Sequence, residues 1–215
     1  MITRRGGWWG ALVAALVVLV LALLIVHAWG PLLRFDHGVA DAIHSWALRN
    51  PRAVSVSEFL QTMGSFGVSV WFVLVTTVLL LVARRWWQAL TLVLVATLAP
   101  WITDLIKPVV GRARPVWETS LATEVTLSYP SGRATAGIAV YLACGVALGS
   151  LLRSPSWGAV VALSFGIFGV AIGLSRLVLG VHWPSDVLGG FCVAIAVAGV
   201  AGALFVLPPT PPRSR

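Results

Sequence analysis

Apolar residues in this chain fall into long unbroken runs, not the alternating pattern of a half-buried strand or the single stripe of a surface helix. The runs cover about 8–29, 66–83, 86–106, 134–152, 157–174 and 184–207. Each approaches the roughly 20 residues that a helix needs to cross a bilayer. The pattern therefore predicts an all-α fold, a six-transmembrane-helix bundle. Arg4 and Arg5 precede the first run, as in a signal peptide. That run exceeds the ~7–15 residues of a signal-peptide core and lacks a cleavage site before Pro31, so it is expected to be a span.

The segment between the first two runs is mixed. Residues 36–50 carry apolar positions at helical spacing, Val39, Ile43, Trp46 and Ala47, and Pro51 ends the pattern. A second short helix fits 53–63, before Gly64. Both are too short to span and are expected to be short interfacial helices between spans one and two. The stretch 107–131 is the one long polar connection, and the end of the chain reads PPTPPRSR. This divides the chain into a single transmembrane domain, 1–207, and a disordered cytoplasmic tail, 208–215.

Composition narrows the class further. The chain has 215 residues, of which 59% are hydrophobic and only 10% charged. A soluble domain carries about 25% charged residues, so a soluble globule and a disordered chain are both excluded. Two cysteines, Cys144 and Cys192, lie in apolar runs, which excludes a disulfide scaffold and predicts small buried hydrophobes. The net charge of +8 is spread between spans, which points to membrane topology and not to nucleic acid.

Those charges orient the bundle. With six spans, Arg4, Arg5, Arg84, Arg85, Arg153, Arg213 and Arg215 share one side, without an acid. The other side holds all seven acids and eight cations, five of which form a cluster with its own purpose. Seven cations against the remaining three place both termini in the cytoplasm of a cell-membrane protein, with the loops after spans one, three and five outside. Tryptophans support this frame. Trp8, Trp9, Trp86, Trp87 and Trp157 fall at cytoplasmic span ends, and Trp29 and Trp183 at outer ends, whereas Trp71 and Trp101 are expected in the core.

Three polar segments lie on the outer side: Lys107 to Pro115 (KPVVGRARP), Tyr129 to Arg133 (YPSGR) and Ser175 to Asp186 (SRLVLGVHWPSD). Charges at membrane depth are costly and need a partner or a purpose. Lys107, Arg112, Arg114, Arg133 and Arg176 are five cations facing few nearby acids, Asp104, Glu118, Glu124 and Asp186. Guanidinium forks suit phosphate oxygens, so the cluster predicts an anion site. Ser131 and Gly132 precede a helix and can add a cap and backbone N–H donors. His182 and Asp186 are four apart, and a carboxylate on one imidazole nitrogen frees the other as nucleophile or base. Asp104 is expected to pair with Lys107, and Glu118 and Glu124 to be solvated in the exposed loop. Gly145, Gly149, Gly166, Gly169 and Gly173 are expected to let helices approach closely. His27, His37 and His44 lack a ligand-like pattern, and no metal cluster is evident.

These segments resemble the three signatures of the type 2 phosphatidic acid phosphatase superfamily of membrane lipid phosphatases, K-x6-R-P, P-S-G-H and S-R-x5-H-x3-D. Lys107 to Arg114-Pro115 fits the first, and Ser175-Arg176 through His182 to Asp186 fits the third. The resemblance implies that His182 is the nucleophile and Asp186 orients it. It implies that Lys107, Arg114 and Arg176, with Ser131 and Gly132, hold the phosphoryl oxygens, and that no metal or other cofactor is used. Arg112 and Ser175 are secondary candidates beside these motifs. The middle signature departs, because Arg133 stands where the family has the acid His.

Arginine does not release its proton near neutral pH, and acid–base help is worth roughly 10²–10⁴ in rate. An alkoxide leaving group needs that proton, whereas a phosphate leaving from a diphosphate can be stabilised by a fixed cation. Three readings of Arg133 stay open: a residue that tilts the enzyme toward diphosphates, an engineered silencing change, or the mark of a relative that binds lipid phosphates without cleaving them. The expected partners are membrane lipids and a lipid phosphate or diphosphate drawn sideways from the outer leaflet. A polyprenyl diphosphate is the leading substrate, with phosphatidylglycerol phosphate and phosphatidic acid behind it. A non-catalytic binder or transporter of lipid phosphates is the competing class.

Overall fold

The structure, a computed structural model, describes residues 4–205. The tail expected at 208–215, with Arg213 and Arg215, lies outside the described residues. Among those described there is no strand. The elements are α1 (Arg4–Val26), α2 (Gly30–Leu48), α3 (Pro51–Met63), α4 (Phe66–Val82), α5 (Trp86–Val110), α6 (Gly132–Ala136), a π-helical turn (Gly137–Leu142), α7 (Ala143–Ser150), α8 (Pro155–Val178) and α9 (Pro184–Phe205). Residues Gly132–Ser150 run on without a break and count as one span. Five helices are long and apolar enough to cross a membrane unaided; α4 reaches that standard together with α3, from which it is bent by 54°. Six spans follow if that bent pair counts as one, and the fold is the all-helical bundle expected.

Helices α6 to α8 pack through glycine. A Cβ at Gly137 would lie 2.5 Å from the Gly169 carbonyl oxygen, and one at Gly149 would lie 2.4 Å from that of Gly158. Neither position has room for a side chain, so the two backbones touch as close-packed membrane helices do. Around this seam Leu80, Leu92, Val140, Tyr141 and Ile172 build the central cluster. Both cysteines are buried and free. Helix α1 leans on α9 through small residues, Gly7 and Ala11 against Gly199 and Ala203, while Leu12, Leu16, Leu19 and Leu23 face outward.

The expectation for Trp71 and Trp101 fails here for a physical reason. In a bilayer the apolar side of a helix can face lipid, and the polar side then turns inward. Trp71 and Trp101 are 66% and 70% exposed and belong to the outer surface, not to the core. In α2 the buried face is Asp36, Ala40, His44 and Ala47, with Phe35 and Trp46 exposed. The apolar spacing identified the helix, and polar Asp36 and His44 take part in its buried face.

The loops between α1 and α4, α5 and α6, and α8 and α9 meet at one end of the bundle. Gly111 adopts a left-handed backbone (φ 65°), ends α5 and sends the chain back toward the bundle axis. Gly132 stands beside Thr103, so α6 begins about 10 Å below the end of α5 at 1.5 Å per residue. The site is therefore sunk between helices and does not lie flat on the surface.

Candidate active site

His182 sits in the turn between α8 and α9. Gly180 supplies that turn with a positive φ of 70°. Helix α9 then starts at Pro184, and Asp186 in its first turn reaches back to accept from the Trp183 N–H at 2.8 Å. This holds its Oδ2 3.4 Å from Nδ1 of His182. Ser128 donates to the same oxygen at 2.5 Å. On the other side of the ring, Arg114 lies 2.9 Å from Nε2. A guanidinium has no lone pair to offer, so Nε2 accepts and the ring proton sits on Nδ1, facing Asp186. Burial pushes the imidazole pKa down to about 4, against the upward pull of Asp186. The ring is neutral at pH 7, with its free lone pair aimed away from the carboxylate.

Arg114 cannot swing freely. Its guanidinium donates to the carbonyls of Thr126 (2.5 Å) and Val181 (2.8 Å) and to the Thr126 hydroxyl (2.9 Å). Arg176, in the last turn of α8, is fully buried. It donates to Gln61 of α3 and, at 2.7 Å, to Glu124. Its Nε has no partner among the described residues and remains an open donor. Arg133, in the first turn of α6, donates to the same Glu124 oxygen at 3.1 Å. Ser131 caps this helix through its side chain, and its N–H donates to the Asp186 carbonyl at 2.9 Å, which ties the start of α6 to α9. Lys107 pairs with Asp104 at 3.4 Å, as expected, and its Nζ reaches to 3.7 Å of a Cβ built on Gly132. The structure thus gathers Lys107, Arg114, Ser131, Gly132, Arg133, Arg176, His182 and Asp186 at one end of the bundle.

Two secondary candidates stand elsewhere. Arg112 lies behind Asp186, clamped between its Oδ1 (2.7 Å) and Asp36 (2.6 Å), because two buried carboxylates outcompete any outside anion for it. Ser175 turns its hydroxyl back to the Ile172 carbonyl at 2.7 Å. Two other expectations are corrected. Glu124 is not solvated like Glu118, because three guanidiniums gather round it. Burial alone would raise its carboxyl pKa; Arg176, Arg133 and Arg114 outweigh burial and hold it below the usual carboxylate range. Trp183 is buried, not part of an outer belt, and donates to the Ala113 carbonyl at 3.0 Å.

Sequence reasoning missed Asp36, Gln61, Ser128 and Ser185. Asp36 accepts from the Ser185 N–H (3.0 Å) and hydroxyl (2.5 Å) as well as from Arg112. Asp36 stands among other polar residues of a mixed segment, which gave no signal for it. Ser128 precedes the second motif and Ser185 lies within the third, but Gln61 gave no sign. Among the described residues no three His, Cys, Asp or Glu side chains gather as metal ligands.

The family model of the PAP2 superfamily matches residues 88–206 of this chain. A phosphatidylglycerophosphatase B of Bacillus subtilis is 32% identical over 113 residues, which are 52% of this chain and 55% of that protein. The match thus spans about half the length of that relative. An undecaprenyl-diphosphatase of Sulfolobus acidocaldarius is 28% identical over 81% of this chain and 83% of its own. A decaprenylphosphoryl-5-phosphoribose phosphatase of Mycobacterium tuberculosis is 30% identical over 80% and 89%. The crystal structure of a transmembrane PAP2 type phosphatidylglycerolphosphate phosphatase from Bacillus subtilis superimposes with a TM-score of 0.82. It is 23% identical and covers 91% of this chain and 96% of that one.

Proposed function

This chain belongs to the PAP2 superfamily, and from that premise we propose that it is a membrane lipid phosphatase working through a phosphohistidine, with a polyprenyl diphosphate as its substrate. The observation that carries the reading is the neutral His182, whose Nε2 lone pair meets Arg114 while its Nδ1 is engaged by Asp186. A phosphoryl group between Nε2 and the guanidiniums would take the donors of Arg114 and the open Nε of Arg176.

Nε2 attacks phosphorus, the bridging P–O bond breaks, and the lipid leaves with its oxygen. Asp186 stabilises the imidazolium through the Nδ1 proton. Water then attacks phosphorus, the P–N bond breaks, and inorganic phosphate departs with His182 restored. Arg133 supports the diphosphate assignment. It is a permanent cation at the start of α6, and a departing phosphate needs charge compensation where a departing alkoxide needs a proton. The three relatives described above are named for polyprenyl-linked and glycerol-linked phosphates, and they bracket the substrate class without choosing within it. In this reading both termini are cytoplasmic, the site faces outside, and substrate slides in between helices from the outer leaflet.

The test is phosphate release in detergent, with a chelator present, from a polyprenyl diphosphate, a polyprenyl monophosphate and phosphatidic acid. The protein and its Arg133→His variant run side by side. Turnover with a preference for the diphosphate is expected, and the variant should gain on the monoesters. A preference of the unaltered protein for monoesters refutes the role of Arg133. Lipid binding without release in either protein favours the competing class, a lipid-phosphate binder.

A further inference from the structure

We propose that Glu124 is the general base that activates water to hydrolyse the phosphohistidine, an inference that rests on the phosphatase reading above. The second half of the reaction needs a proton acceptor on the open side of the phosphoryl group. In this chain the candidates there are few. Arg114, Arg133 and Arg176 stay protonated, and Asp186 is fully buried against Nδ1, on the far side of the ring. His182 itself is the leaving group of that step. Glu124 remains: a carboxylate that is 24% exposed and therefore reachable by water, held by Arg176 at 2.7 Å and Arg133 at 3.1 Å.

The groups facing it are Arg176 from α8, Arg133 from α6, Arg114 from its own loop and His182 from the turn before α9. The three guanidiniums keep it ionised in the free protein. Arg176 can hold a phosphoryl oxygen through its open Nε while its terminal nitrogen keeps Glu124 in place. Once His182 carries the phosphoryl group, that anion draws on the same guanidiniums and adds a like charge nearby. Both effects raise the carboxyl pKa and make Glu124 a better base when it is needed. The step balances as follows. The water oxygen bonds to phosphorus as the P–Nε2 bond breaks, the water proton moves to Glu124, and solvent then receives it.

The experiment is rapid-quench kinetics on a polyprenyl diphosphate with the unaltered protein, Glu124→Gln and Glu124→Asp. Glu124→Gln should still release a first equivalent of lipid in a burst and accumulate phosphoenzyme on His182. Its steady-state rate should fall ~10²–10⁴-fold, the usual worth of a positioned base. Glu124→Asp should recover a large part of that loss; Glu124→Gln also takes a partner from the buried Arg176 and should melt lower, so burst and steady-state rates are read per folded protein. Unchanged turnover in Glu124→Gln overturns the proposal, as does a lower KM with equal or higher kcat, which would make Glu124 merely an internal anion occupying the site. Loss of the burst together with turnover also overturns it. Absence of burst and turnover in the unaltered protein refutes the phosphatase reading instead.

Discussion

Replacing Arg112 by Met tests the buried charges behind His182. One guanidinium there serves Asp36 at 2.6 Å and Asp186 at 2.7 Å, and it also donates to Ser185 at 2.7 Å. All three charged side chains are buried, so the missing cation cannot be replaced by water. Removing one partner of a buried ion pair costs about 3–5 kcal/mol, and here two carboxylates lose their partner at once. For a chain of this size each kcal/mol lowers the melting temperature by about 2–4 °C, so Arg112→Met should melt at least about 6 °C lower. The second substitution decides the matter. Adding Asp36→Asn removes one of the stranded charges and the repulsion it exerts on Asp186, which should restore about 1–3 kcal/mol. The double variant should therefore be more stable than Arg112→Met alone, although it carries one change more. Thermal unfolding in detergent, followed by tryptophan fluorescence, measures all three. A double variant equal to or weaker than Arg112→Met refutes the charge argument.

Three further outcomes follow from the geometry. Burial holds His182 near a pKa of about 4, so the acid limb of kcat/KM should lie well below the ordinary imidazole value of about 6.5; a limb at that ordinary value in the pH profile refutes the burial. His182→Asn should abolish both phosphate release and phosphoenzyme, and a retained first-turnover burst would exclude Nε2 as the nucleophile. Gly169→Ala places a Cβ 2.3 Å from the Gly137 carbonyl oxygen and should cost about 1–3 kcal/mol, whereas Gly202→Ala meets nothing within 4 Å and should be silent by thermal unfolding.

The spans were legible because bilayer thickness writes itself into run length. The gathering of His182, Asp186, Lys107, Arg114 and Arg176 at one end of the bundle was legible because they sit at fixed spacings in two motifs. The inner faces were not legible. In α2 the buried residues are Asp36, Ala40, His44 and Ala47, and of these the apolar spacing marks only Ala47. Partners contributed by distant segments were also hidden. Nothing near Asp36 announces Arg112, and nothing near Glu124 announces Arg176, because each pair forms only when three loops meet. The partners of Arg112 were hidden for the same reason: an arginine inside a phosphate motif shows its two carboxylates only once the chain is folded.

The order in which the chain is made adds a last consequence. Asp36 emerges early from the ribosome, Arg112 follows, and Ser185 and Asp186 come only with the final span. Helix α1 likewise finds its small-residue partners, Gly199 and Ala203, on that same span. Until α9 enters the bilayer, the first helix has little to lean on and Arg112 has only one of its two carboxylates. Assembly of the site is thus the closing event of biogenesis. A chain truncated before α9 would leave Arg112 and Asp36 without Ser185 and Asp186, the partners that complete their buried network.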